Sequence, residues 1–158
     1  VPDSPEVVLL IGLPGSGKSS FYRVRFAATH RHLSKDNWPN ARKREARLQR
    51  ELRATLQDGR SVVIDNTNVT LEARQSVLKI AREFNVRMSG YVFKTHFEEC
   101  LQRNAGREGK ARVPDAAIKI MHANWQAPTY AEGFDELFWV QLCEGAFWIT
   151  SYDEPATI

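Results

Sequence analysis

The segment Gly12-Leu13-Pro14-Gly15-Ser16-Gly17-Lys18-Ser19 fits the pattern G-x-x-x-x-G-K-[ST] and directly follows the apolar run Val7-Val8-Leu9-Leu10-Ile11. That pairing dictates a buried strand, a glycine-rich turn and a helix, in that order. Glycine makes up about 7% of protein residues, so a chance match in a chain this short is on the order of one in a hundred or rarer. The glycines let the backbone turn so that successive N–H groups point inward at an anion. Lys18 adds a mobile cation and the Ser19 hydroxyl can ligate Mg²⁺. A helix opening at Ser19 aims its positive end at the same place. The expected ligand is a nucleoside triphosphate, ATP, with Mg²⁺.

Apolar runs alternate with helix-period segments along the rest of the chain, the pattern of a parallel α/β sheet buried on both faces. Strands are expected near 7–12, 32–35, 61–65, 88–95 and 136–142, and helices over 18–29, 40–58, 70–84, 97–108 and 114–126. The fold class is therefore α/β, a P-loop NTPase fold with a five-stranded parallel sheet flanked by helices. Phe147-Trp148-Ile149 can add a short final strand. The 158 residues, 42% of them hydrophobic, suit one domain over 1–158. No apolar run approaches the roughly 18 residues of a membrane span and no basic-then-apolar leader precedes the first strand, which reads as an intracellular protein without a membrane role. Cys100 and Cys143 lack a C-x-x-C partner and read as reduced, buried thiols; His30, His32, His96 and His122 lack metal-ligand spacing and read as surface or packed residues.

Two acids stand where strands end, the edge at which open parallel sheets bind their ligands. In Leu33-Ser34-Lys35-Asp36-Asn37, Asp36 can accept the proton of an attacking hydroxyl, or can cap a helix or close the turn before Pro39. In Val62-Val63-Ile64-Asp65-Asn66-Thr67-Asn68, Asp65 has the layout of the second acidic motif of P-loop enzymes, or belongs to a polar turn. Between them, Lys43, Arg47 and Arg50 share a helix face at i, i+4 and i+7 in a segment that also carries Arg42 and Arg44. Such a stripe can track a phosphate backbone or simply be solvated. A basic segment over about 103–113, with Gly106 and Gly109, reads as a hinged lid whose arginines arrive on the transferred phosphoryl group. The net charge of +3 is compatible with a polyanionic substrate without requiring one.

Taken together, G-L-P-G-S-G-K-S at 12–19, S-K-D at 34–36, I-D-N-T-N at 64–68 with Arg74 following, R-N-A-G-R at 103–107 and V-P-D at 113–115 resemble the kinase domain of polynucleotide 5′-hydroxyl kinases. Gln126-Ala127-Pro128-Thr129 and Ala131-Glu132-Gly133-Phe134 extend the resemblance almost to the end of the chain. It implies transfer of the γ-phosphoryl group of ATP to the 5′-OH end of DNA or RNA. By that resemblance Lys18, Asp36 and Arg107 are catalytic, with Asp36 the general base and Arg107 the lid arginine. Gly12 through Ser19, with Ser20 and Arg103, would hold the nucleotide, and Ser19 the metal. Asp65 would support the acceptor or the metal, Asn68 and Arg74 would face the acceptor, and the basic helix adds Arg42, Lys43 and Arg47 on the acceptor side. Fused or associated end-repair domains are implied as partners.

The phage enzyme of that family carries an arginine shortly after its base, whereas here Trp38-Pro39 follow Asn37. No phosphatase D-x-D-x-T motif is present in the sequence. Two other functions compete: a kinase of a small hydroxylated metabolite, and a nucleotide-binding switch with no acceptor.

Overall fold

The computed structural model describes residues 4–153. The elements run β1 (Glu6–Ile11), α1 (Lys18–Arg25), β2 (Arg31–Leu33), α2 (Arg44–Gln57), β3 (Val62–Asp65), α3 (Leu71–Glu83), β4 (Arg87–Phe93), α4 (Phe97–Ala105), α5 (Asp115–Ala123), β5 (Glu136–Cys143) and β6 (Ala146–Ser151), with a 3₁₀ turn at Lys35–Asn37. They form one sheet in the order β2-β3-β1-β4-β5-β6. Strand β1 lies inside it, parallel to β3 and β4, and Val7 through Ile11 are wholly buried.

Alternation along β1 explains the layers. Val7, Leu9 and Ile11 point to a core shared with Leu48 and Leu52 of α2 and Val77 and Ile80 of α3. Val8 and Leu10 point the other way, against Phe21 of α1, which packs edge-on to Phe26 and Phe93. A strand covered on both faces must be apolar throughout, as the first motif requires.

The sheet departs from the expected five parallel strands. Strands β1 to β5 are parallel, but β6 adds a sixth, antiparallel to β5. The cause is local. Glu144 and Gly145 both have positive φ, 51° and 77°, the geometry of a two-residue type I′ hairpin, and Cys143 pairs with Ala146 across it. Helix α2 starts at Arg44 because a 3₁₀ turn and Pro39 occupy the preceding segment, and α5 ends at Ala123. Both cysteines are free; Cys100 is buried, whereas Cys143, expected to be buried, is exposed at the hairpin. Among the described residues, no helix is long and apolar enough to cross a membrane.

Arg74 also departs from expectation. It is 0% exposed, and its guanidinium is taken up by internal partners rather than offered to an acceptor strand. Its Nε and Nη2 donate to the two carboxylate oxygens of Glu132 at 2.8 and 3.2 Å, and its Nη1 donates to the Asn68 carbonyl at 2.8 Å. The guanidinium fork thus bolts α3 to the segment before β5 and to the loop after β3. Removing one partner strands a buried charge: Arg74→Met should cost about 3–5 kcal/mol of stability. Adding Glu132→Leu should recover much of the loss, both read by denaturant unfolding.

Candidate active site

The phosphate loop is held by its neighbours as well as by its own glycines. Gly12 N–H donates to the Thr67 carbonyl at 2.9 Å, tying the start of the loop to the end of β3. Gly15 has φ 81°, and a Cβ there would lie 2.7 Å from the Cys100 carbonyl oxygen in α4, so a side chain is barred on two counts. Leu13, Pro14 and Ser16 are buried. Among the described residues, no acceptor takes the N–H groups of Gly15, Gly17, Lys18 or Ser19. Four unclaimed donors at a helix start form a cradle suited to a polyphosphate.

The Lys18 side chain folds back into this loop. Its Nζ donates to the Gly12 and Leu13 carbonyls at 2.9 and 2.8 Å and lies 3.4 Å from Ser16 Oγ. Burial lowers the ammonium to about 8, against the opposing pull of Asp65, with Arg107 lowering it and Asp36 raising it further. Both candidate acids and the lid arginine thus act on the Lys18 ammonium.

Asp65 sits at the end of β3, 5% exposed. One oxygen, Oδ2, accepts from Ser19 Oγ at 2.8 Å and pairs with His32 Nε2 at 2.9 Å. Burial pushes the carboxyl up, but His32, Lys18 and Ser19 together outweigh it and hold the group below its ordinary range. Being ionised, Asp65 can only accept, so the imidazole hydrogen is on Nε2. A Ser19 hydroxyl whose hydrogen is committed to Asp65 presents its lone pairs to a cation. His32 in turn packs against the Tyr22 ring, 4.6 Å between centroids.

Asp36 is exposed on the 3₁₀ turn that follows β2. Two donors fix that turn to β3: Ser34 Oγ and Lys35 N–H both reach Asn66 Oδ1, at 3.3 and 3.0 Å. Ser34 Oγ also accepts from Asp36 N–H at 3.2 Å. The two acids are thus carried by adjacent strands whose ends are laced together.

On the lid side, Arg103 Nη1 donates to the Gly15 carbonyl at 3.2 Å, while Arg107 is exposed and among the described residues reaches the Ala111 carbonyl at 3.5 Å. The buried Asn104 accepts from Val113 N–H at 2.8 Å and donates to the Val113 carbonyl at 2.5 Å, pinning both ends of the loop that carries Arg107. Arg42 and Lys43 are exposed before α2, and Arg50 is exposed on it. Arg47 is half-buried, its guanidinium 4.5 Å from the Trp38 ring centre. Ser20 is exposed beside Arg23. Asn68 departs from the expected substrate contact. It is buried at φ 51°, and its amide donates to the Leu10 and Asn66 carbonyls at 2.8 and 3.2 Å, so it braces the loop.

Sequence reasoning missed His32, Asn66 and the clamp at Asn104. His32 lies two residues before Ser34 on a short strand, and only the strand register, with His32 opposite Val63, puts it on the same face of the sheet as Asp65, two residues farther along β3.

The AAA domain family AAA_33 matches residues 7–128, and the chain belongs to that family. A protein of Acanthamoeba polyphaga mimivirus described as a bifunctional polynucleotide phosphatase/kinase is 31% identical over 143 residues, covering 86% of this chain and 33% of the relative. The bifunctional polynucleotide phosphatase/kinase of Schizosaccharomyces pombe is 29% identical over 133 residues, covering 82% and 32%. The chain thus spans about a third of the length of these curated relatives. Among solved structures, a chain of the Pnkp1/Rnl/Hen1 RNA repair complex matches with a TM-score of 0.62 at 27% identity, covering 74% of this chain and 42% of that one. The resemblance read from the motifs is borne out by these relatives.

Two outcomes follow from the site geometry. Lys18 is lowered from 10.5 to about 8, so the unfolded chain binds more protons between those values and ligand-free stability should rise with pH across that window. Phosphates draw the proton back, so nucleotide binding at about pH 9 should take up a proton that binding at about pH 6 does not. Calorimetry in buffers of different ionisation enthalpy reads the difference, and Lys18→Met should abolish it. Separately, His32→Leu should weaken Mg²⁺ affinity about 10-fold or more by releasing Asp65. His32→Gln, which keeps an N–H donor, should lose less in the same titration.

Proposed function

We propose that this chain is an ATP-dependent polynucleotide 5′-hydroxyl kinase, a phosphotransferase acting on the 5′-OH end of DNA or RNA. The observation that carries the reading is the meeting of the motifs at one edge of the sheet: Ser19 Oγ donates to Asp65 Oδ2 at 2.8 Å, Asn66 Oδ1 ties the turn bearing Asp36 to the end of β3, and Arg103 Nη1 reaches the Gly15 carbonyl at 3.2 Å. The names of the relatives support a polynucleotide acceptor, and they also support a setting among other end-processing activities, fused or associated. A reaction on ATP and nucleic-acid ends belongs inside the cell.

In this reading the open N–H groups from Gly15 to Ser19 bind the β- and γ-phosphates, and Lys18 leaves its loop carbonyls to meet them. Ser19, oriented by Asp65, would hold Mg²⁺, whose charge offsets that of the phosphates. Asp36 accepts the 5′-hydroxyl proton as the acceptor oxygen bonds to the γ-phosphorus and the bond to the β-phosphate oxygen breaks, leaving ADP. The proton passes from Asp36 to solvent. Arg107 arrives with the lid and meets charge spread over the transferred group, while Arg103 braces the loop and nucleotide. Arg42 and Lys43, exposed beside Asp36, are the acceptor-side cations, with Arg47 held ready on Trp38.

The test is a panel of 5′-hydroxyl oligonucleotides, nucleosides and sugars incubated with γ-labelled ATP and Mg²⁺. Label on oligonucleotides supports the reading. Label on sugars alone would make the chain a metabolite kinase, and no label with intact nucleotide binding would make it a switch. Asp36→Asn should lower kcat about 100-fold or more with little change in ATP affinity. Arg107→Lys should lose much of the rate, because lysine keeps the charge but not the planar fork.

A further inference from the structure

A groove of about 770 Å³ runs along the outer side of α3, with Leu71, Leu78, Lys79 and Arg82 on one wall and Ala127 and Thr129 facing them. A smaller hollow of about 390 Å³ at Thr70 and Asn124 adjoins it. Gln126 borders both depressions, and it clips them together: its Oε1 accepts from Leu71 N–H and its own N–H donates to the Val69 carbonyl, each at 2.8 Å. Thr70 follows directly on the loop that begins at Asp65. The two hollows therefore continue from the acid-bearing edge of the sheet down the length of α3.

We propose that this groove is the track for the acceptor strand beyond its reacting 5′ end, an inference that rests on the polynucleotide reading above. Charge complementarity selects the occupant. The single carboxylate on its lining, Glu132, is consumed by Arg74 and by Thr129 N–H. Lys79 and Arg82 take part in no ion pair among the described residues, and Arg82 touches only the Glu132 carbonyl, at 3.4 Å. The free charge of the groove is thus positive. Leu71 to Arg82 spans about 16 Å of helix at 1.5 Å per residue, long enough to run beside more than one phosphate of an extended strand. Leu71 and Ala127 offer apolar surface to sugars and base faces, while the two cations sit on one helix face three residues apart, close enough to serve neighbouring phosphates. A strand that enters past Thr70 would have its phosphates neutralised far from the chemistry, so this surface adds affinity with length and reads no sequence.

The experiment is binding of single-stranded 5′-hydroxyl oligonucleotides, from about two to about ten nucleotides long, to the wild type and to Lys79→Gln/Arg82→Gln. Both substituted side chains are exposed, and thermal unfolding checks that the fold is kept. The wild type should gain affinity with length. The double variant should lose about 10-fold on the longest oligonucleotide and little on the shortest. Its salt slope should flatten by about 1.4, at about 0.7 for each single-strand phosphate that is no longer neutralised. A loss equal at every length, or an unmoved slope, overturns the track while leaving the kinase reading intact if the wild type still labels oligonucleotides. It would leave the groove to an acidic peptide instead. A wild type that labels no oligonucleotide overturns both.

Discussion

One carboxylate oxygen organises this molecule's working edge. Asp65 Oδ2 receives Ser19 from the start of α1 and His32 from β2, so three structural units, α1, β2 and β3, meet on a single buried acceptor. An ionised group 5% exposed is tolerable only because those donors and the Lys18 ammonium compensate its lost hydration. The compensation works in both directions. Asp65 keeps Lys18 more basic than burial alone would, and Lys18 keeps Asp65 ionised. The loop is consequently charged and ordered before any ligand arrives, which spares binding the cost of assembling it.

The parts that bear on the donor were legible in the sequence because they are dictated by backbone chemistry. A glycine turn after an all-apolar strand has few folds open to it, and β1, β3 and β4 fell where their apolar runs lie. The second acid was legible for the same reason, since it ends such a run. What stayed hidden depends on contacts between distant segments. Arg74 and Asn68 have the composition of ligand-binding residues, but Arg74 meets Glu132 58 positions away and Asn68 meets Leu10 at the same separation. Nothing local distinguishes a buried brace from a surface cation. His32 was hidden by the reverse error, a lone histidine on a three-residue strand that only the sheet register carries to Asp65. The sixth strand was legible only weakly, because Glu-Gly is a poorer hairpin signal than Asn-Gly.

The acceptor side is built differently from the donor side. In the proposed reaction the donor's phosphates would meet backbone N–H groups and the buried Lys18, whereas Arg42, Lys43, Lys79 and Arg82 are exposed. That division matches the demands on each. A donor must be held in one pose for in-line transfer, while a polymer needs only its end aligned and the remainder retained by screened, movable charge. Arg47 stands between the two regimes: stacked on Trp38, it has already lost part of its side-chain freedom, so a contact it makes beside Asp36 costs less ordering than one from a free arginine.

Charge accounting around Lys18 explains why the lid belongs to the mechanism. Lys18 and Arg107 against Asp36 and Asp65 sum to zero in the open site. ATP with one Mg²⁺ brings about two negative charges into that balance, and the phosphoryl group in flight spreads its share over oxygens directed away from the loop. Arg103, already bonded to the Gly15 carbonyl, covers one side. In the proposed reaction the remaining deficit would fall on Arg107, whose loop is pinned at both ends by Asn104 and which itself makes one 3.5 Å hydrogen bond among the described residues. A guanidinium anchored at its hinge and loosely engaged at its tip can move onto the nucleotide without unfolding the segment that carries it.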